Sequence, residues 1–180
     1  MATNVKLHDL HFVPYLGEAE VEQMVSELAA RINIDYLGKT PLFVVVLNGA
    51  FMFASDLIKK VSIDCEVSFL RVSSYRGTSS TGEVKEMMPI GTDVAGRHVV
   101  LIEDIVDTGN TMGDIKQKMK DGGAASVKIC TLLFKPEAFK GSYQVNYIGK
   151  EIADKFVVGY GLDYDGLGRN LPAIYQIKTN

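Results

Sequence analysis

The chain has 180 residues, 47% of them hydrophobic and 23% charged, with a formal net charge of −3. That is enough for one sizeable hydrophobic core and short for two, and the expectation is a single domain spanning residues 1–180. No apolar run approaches the roughly 20 residues needed to span a bilayer, the N-terminal MATNVKLHDL lacks the apolar core of a secretory signal, and no Lys/Arg cluster marks a nucleic-acid face. The expected setting is therefore cytoplasmic, with neither membrane nor nucleic acid as partner. The two cysteines, Cys65 and Cys130, lack the spacing of a zinc site or redox pair and read as buried free thiols.

Residues 18–32 place Val21, Met24, Val25, Leu28, Ala29 and Ile32 at a helical period, predicting a core-facing helix. Residues 41–47 (PLFVVVL) predict a buried strand ended by Asn48 and Gly49, 52–60 a helix and 65–72 a second strand. Residues 73–82 (SSYRGTSSTG) are almost all Ser, Thr or Gly, which predicts a mobile loop continuing to about Met88. A loop of that length beside a strand end suits a lid. Residues 98–103 predict a third strand, and 110–120 a helix with Met112, Ile115 and Met119 on one face. Further strands are predicted at 126–133 and 156–160, with a short sixth at 173–177.

Strands alternate with helices, and the central strands are apolar on both faces. The expected fold is α/β: a central, mostly parallel sheet with helices on both faces. Ligands of such sheets bind beyond the C-terminal ends of the strands. Several glycine motifs fail there. Residues 38–40 (GKT) resemble a P-loop end, but Asn33 stands where the first glycine belongs. The glycines at 159 and 161, and at 166 and 168, lack the third glycine of a dinucleotide fingerprint.

The informative run is VVLIEDIVDTGNTM, residues 99–112. An apolar strand leads into Glu103 and Asp104, then Asp107, then a loop opening a helix. Three carboxylates in five residues repel one another and cost stability unless something binds. Capping of the helix accounts for one acid and leaves the other two unexplained. Thr108, Gly109, Asn110 and Thr111 offer N–H groups and hydroxyls at a helix N-terminus, a cradle for phosphate. Glu103 and Asp104 can accept hydrogen bonds from a vicinal diol or hold magnesium through oxygen ligands. Asp107 is placed to exchange a proton beside the reacting centre.

The stretch VVLIEDIVDTGNT resembles the phosphoribosyl-pyrophosphate signature of the type I phosphoribosyltransferases. Residues 131–136 (TLLFKP) and 154–163 (DKFVVGYGLD), with Arg169 beyond, resemble the purine-binding half of the hypoxanthine and hypoxanthine-guanine branch. The resemblance covers nearly the whole chain. It implies the type I fold with a small hood from the chain ends, and Mg2+ as cofactor. The implied reaction moves the 5-phosphoribosyl group from phosphoribosyl pyrophosphate to hypoxanthine and/or guanine. The alternatives are a xanthine-preferring transferase and a nucleotide-sensing regulator that keeps the fold.

By the same resemblance, Glu103 and Asp104 bind ribose hydroxyls and metal, Asp107 is the general acid/base, and Thr108 to Thr111 hold the 5-phosphate. Lys135 donates to the exocyclic oxygen of the base, Phe156 stacks on the purine and Val157 meets its edge. Asp163 belongs to the purine site and helps hold a second metal. Asn48, Gly49, Ser74, Tyr75 and Arg169 face pyrophosphate. Some relatives carry a basic residue at the place of Asn48, so this contact falls to backbone N–H groups. The resemblance further implies a cis Leu47–Asn48 peptide and a homodimer or homotetramer.

Overall fold

The chain runs β1 (Val5–Leu7), β2 (Leu10–Leu16), α1 (Glu18–Asp35), β3 (Leu42–Leu47), α2 (Phe51–Lys60), β4 (Glu66–Ser74) and β5 (Val84–Met88). It continues with β6 (His98–Val106), α3 (Asn110–Asp121), β7 (Ser126–Phe134), β8 (Tyr147–Glu151), β9 (Val157–Val158) and β10 (Ile174–Ile177). The structure is a computed structural model describing residues 3–74, 84–88 and 90–178.

The main sheet has the order β5-β4-β3-β6-β7-β8. Its five strands from β4 to β8 are parallel, and β5 adds an antiparallel edge. Alternate residues of the central strands feed two cores. Phe43, Val45, Val100 and Ile102 pack with Val25, Leu28 and Ile32 of α1 and Phe53 and Leu57 of α2. Leu42, Val44, Leu101 and Ile129 pack with Met112, Ile115 and Met119 of α3. Each fully buried aliphatic side chain stabilises by about 1.5–3 kcal/mol relative to exposure, so an apolar strand needs cover on both faces. α1 has no side-chain N-cap, but Glu18 and Glu20 in its first turn complement the helix dipole.

A second, antiparallel sheet, β1-β2-β10-β9, joins the two chain ends as the expected hood. Pro14 sits in β2 beyond the reach of β1, whose pairing stops at Phe12, and opposite an irregularity between Ile174 and Tyr175. A residue without an N–H is tolerated there. Among the described residues no helix is long and apolar enough to cross a membrane. Cys130 is fully buried while Cys65 is partly exposed, and burial pushes both thiols above their ordinary pKa.

The structure departs from the predicted elements in four places. β1, β2 and β8 have short or mixed patterns that predict no strand. The strand expected at 156–160 shrinks to Val157–Val158 and, like β10, lies in the hood. β4 extends to Ser74, and Val84–Met88 pairs with it, so the loop expected to reach Met88 ends earlier. Residues 75–83, including Tyr75 and most of the expected lid, lie outside the described residues. Finally, the strand expected at 98–103 continues to Val106, so Asp104 also lies within it.

Candidate active site

The end of β6 lies between β3 and β7, at the C-terminal edge of the sheet. Strand side chains leave on alternate faces, yet Glu103 folds back so that the two adjacent carboxyls stay close enough to interact directly. Glu103 lines a cavity of about 250 Å³ with Leu47, Val72, Asp107, Thr108 and Thr111. Asp104 is buried and packs instead against Gly49 in the turn after β3. The Asp104 N–H donates to Glu103 Oε1 at 3.1 Å, and the Ile105 N–H donates to Asp104 Oδ1 at 2.7 Å. Burial pushes both carboxyls up, Glu103 furthest because the Asp104 charge adds to it; at Asp104 the rise is opposed by the Glu103 contact, the Ile105 N–H and the Arg169 guanidinium.

The turn after β3 begins with a cis Leu47–Asn48 peptide. A Cβ on Gly49 would stand 1.8 Å from Asp104 Oδ2, so only glycine admits this carboxylate. On its other side Gly49 meets Gly161, whose own Cβ would stand 2.1 Å from the Gly49 carbonyl oxygen. Asp104, Gly49 and Gly161 thus form one tight stack. Asn48 is exposed at its rim.

After Asp107 the chain turns through Thr108 into Gly109, which has φ +83° and precedes α3. The Tyr143 hydroxyl donates to the Gly109 carbonyl, fixing the turn from behind. No side chain caps α3, so its first-turn N–H groups are available to an anion beside exposed Thr108 and Asn110 and half-buried Thr111.

Lys135 follows β7 and is buried. Its ammonium donates to Asp107 Oδ2 at 2.8 Å and to Asp154 Oδ1 at 3.0 Å. Burial works against the charged form, but the two carboxylates outweigh it and hold the ammonium above the usual lysine range. Asp154 has no assigned role in the sequence reading, although it opens the DKFVVGYGLD segment. Its partner is 19 residues away and invisible to local pattern.

Phe156 is 41% exposed, with its ring 6.0 Å from Phe12 and 5.7 Å from Tyr164. Val157 is buried in β9. Arg169 pairs with Asp163 at 2.8 Å and donates to the Gly161 carbonyl at 2.7 Å. The second Asp163 oxygen accepts from the Gly166 N–H at 2.7 Å. Among the described residues no three His, Cys, Asp or Glu side chains gather into a metal cage, so Asp163 does not join Glu103 and Asp104. Ser74 ends β4 opposite Val84, and Tyr75 lies outside the described residues.

Residues 16–165 match the phosphoribosyl transferase domain. The chain belongs to the phosphoribosyl transferase family. It is 43% identical over 164 residues to a hypoxanthine-guanine phosphoribosyltransferase of Staphylococcus aureus, across 91% of this chain and 92% of that protein. The crystal structure of a hypoxanthine phosphoribosyltransferase from Staphylococcus aureus has a TM-score of 0.88 at 42% identity, covering 92% of this chain and 91% of that one. A hypoxanthine-guanine phosphoribosyltransferase from Bacillus anthracis has the same TM-score at 36% identity, covering 92% and 98%. The type I phosphoribosyl transferase fold expected from the sequence, hood included, is the fold these structures share.

Proposed function

We propose that this phosphoribosyl transferase joins the 5-phosphoribosyl group of phosphoribosyl pyrophosphate to hypoxanthine and/or guanine, forming IMP or GMP and pyrophosphate, as a cytoplasmic purine-salvage enzyme. The observation that carries the reading is the Lys135–Asp107 pair, 2.8 Å apart, beside the Thr108–Thr111 cradle. One cationic donor and one proton acceptor stand where a base would meet the ribose. Lys135 donates to the 6-oxo group, which a 6-amino group could not accept, and Asp107 exchanges the proton of a ring nitrogen. Phe156 covers the purine face and the backbone of Val157 meets its edge. Thr108, Gly109, Asn110 and Thr111 bind the 5-phosphate. Glu103 and Asp104 hold the ribose hydroxyls, while Asn48, Gly49, Ser74, Tyr75 and Arg169 face pyrophosphate.

Magnesium fits the donors present. Two adjacent carboxyls, Asp104 buried and Glu103 lining the cavity, both raised by burial, form an oxygen-donor pair suited to a hard cation. Magnesium takes few protein ligands and completes its shell with water and substrate oxygens, so a full protein cage is not required. Glu103 and Asp104 would hold one ion and Asp163 would help hold a second. Bound there, the metal offsets charge developing on the departing pyrophosphate.

Incubation with phosphoribosyl pyrophosphate, Mg2+ and a panel of bases tests the reading: nucleotide should form with 6-oxopurines and fail to form with adenine or pyrimidines. Transfer to adenine alone would overturn it. A homodimer or homotetramer completes the proposal, supported by Val67 and Phe69, which stand 39% and 47% exposed on one face of β4. Light scattering should give a mass at least twice that of the chain, and Phe69→Asp should lower it.

Lys135→Ala should raise KM for the base roughly 10–100-fold, the worth of a hydrogen bond to a charged donor, and leave phosphoribosyl-pyrophosphate affinity within about twofold. The Asp107 and Asp154 side chains are 47% and 57% exposed, so water can solvate them once the cation is gone and the protein should stay folded. Equal losses for both substrates would show that Lys135 is not a base contact.

A further inference from the structure

Lys135 holds two carboxylates at once, and the reaction needs only one of them. Asp107 has work of its own: to exchange a proton with the base it must turn toward the ring nitrogen. A lysine ammonium has three N–H donors, and one paired with Asp107 alone would leave the other two free to rotate about the Cε–Nζ bond. The second carboxylate fixes that rotation and leaves the third donor for the base. Asp154 Oδ1 lies 3.0 Å from Lys135 Nζ, while Asp107 Oδ2 lies 2.8 Å from it.

Asp154 is itself well anchored. It follows β8 by three residues, and the Ile152 N–H just before it donates to the Phe134 carbonyl at 2.8 Å. Phe134 is the neighbour of Lys135 in the chain. Ile152 is buried, and the Lys155 N–H closes a tight turn onto the Ala153 carbonyl at 2.7 Å. Phe156, with its partly exposed ring, and Val157 follow directly. The turn that carries Asp154 therefore also carries the two residues placed against the base. One ion pair ties the hydrogen-bonding wall of the base site to its stacking wall.

We infer that Asp154 is a positioning residue for base recognition: it fixes the Lys135 ammonium toward the base and keeps it from being held by Asp107 alone. The inference rests on the transferase reading above and adds to it a residue without substrate contact. Asp154→Asn keeps the shape of the side chain and one acceptor but removes its charge. Asp107 is then the one charged partner, the ammonium is drawn toward it, and its third donor is no longer held toward the base.

The test uses the full chain as wild type, Asp154→Asn, Asp154→Ala and Asp154→Glu, each first shown to melt cooperatively. KM is measured for hypoxanthine and for phosphoribosyl pyrophosphate, and IMP affinity by calorimetry. Asp154→Asn should raise KM for hypoxanthine and weaken IMP each by roughly tenfold, the scale of one charge-assisted hydrogen bond. KM for phosphoribosyl pyrophosphate should stay within about twofold, Asp154→Ala should be at least as impaired, and Asp154→Glu should recover most of the loss. An active wild type whose Asn and Ala variants bind hypoxanthine and IMP unchanged overturns the positioning role alone. Equal loss for both substrates also overturns it, marking Asp154 as merely structural. A wild type that neither forms nor binds IMP overturns this role and the transferase reading together.

Discussion

Asp107→Asn is expected to lower turnover by about 10²–10⁴, the usual range for one general acid/base, with little change in fold or in phosphate affinity. The amide is nearly isosteric and can still accept from Lys135, so the 2.8 Å contact survives in weaker form. It cannot take or return a proton. Asp107 stands directly before Thr108, at the mouth of the cavity lined by Glu103 and Thr111, so the lost function falls at the junction of base and ribose. The cradle is built from backbone at the start of α3 and from the Gly109 turn held by Tyr143, neither of which uses the Asp107 carboxylate. Phosphoribosyl-pyrophosphate affinity should therefore remain within about threefold on the scale where tenfold is 1.4 kcal/mol. An Asn variant with wild-type kcat would sink the assigned role.

The second large effect separates two glycines of one stack. At Gly49 an added methyl meets the end of the Asp104 side chain, 1.8 Å from Oδ2. That carboxylate can swing away, giving up its bond to the Ile105 N–H. Gly49→Ala should thus cost modest stability, yet displace a proposed metal and ribose ligand and lower activity by ~10² or more. At Gly161 the obstacle is backbone, the Gly49 carbonyl oxygen at 2.1 Å, and φ is +100°. No side-chain rotation relieves either problem. Gly161→Ala should cost about 1–3 kcal/mol from overpacking and more from strain, lowering Tm by roughly 2–4 °C per kcal/mol for a chain of this size. Thermal melts and Mg2+-dependent rates on both variants check the contrast. A Gly49→Ala enzyme of full activity would show that Asp104 need not stand where it does.

The sequence by itself determined the parts whose cause is local. A helical period of apolar residues marks α1, and unbroken aliphatic runs mark β3, β6 and β7. The acids, threonines and glycine after residue 102 mark the site, because repulsion among close carboxylates and a glycine at a helix start leave a trace in adjacent residues. Tertiary structure decided what depends on distant partners. The strands VKL, VKEMM and YIGKE are too short or too mixed to predict a strand; they exist because β2, β4 and β7 offer them backbone hydrogen bonds. The split of Glu103 and Asp104 to different surroundings follows from β6 continuing past them, which pairing with β7 through Val106 enforces. Asp154 joins the site only because β8 docks beside β7 and returns the chain to Lys135. The need for glycine at 49, set by Asp104, and at 161, set by Gly49, likewise arises from segments distant in sequence meeting with no space between them. Hydrogen bonds and steric contacts between such segments leave no periodicity behind, so only the folded chain reveals them.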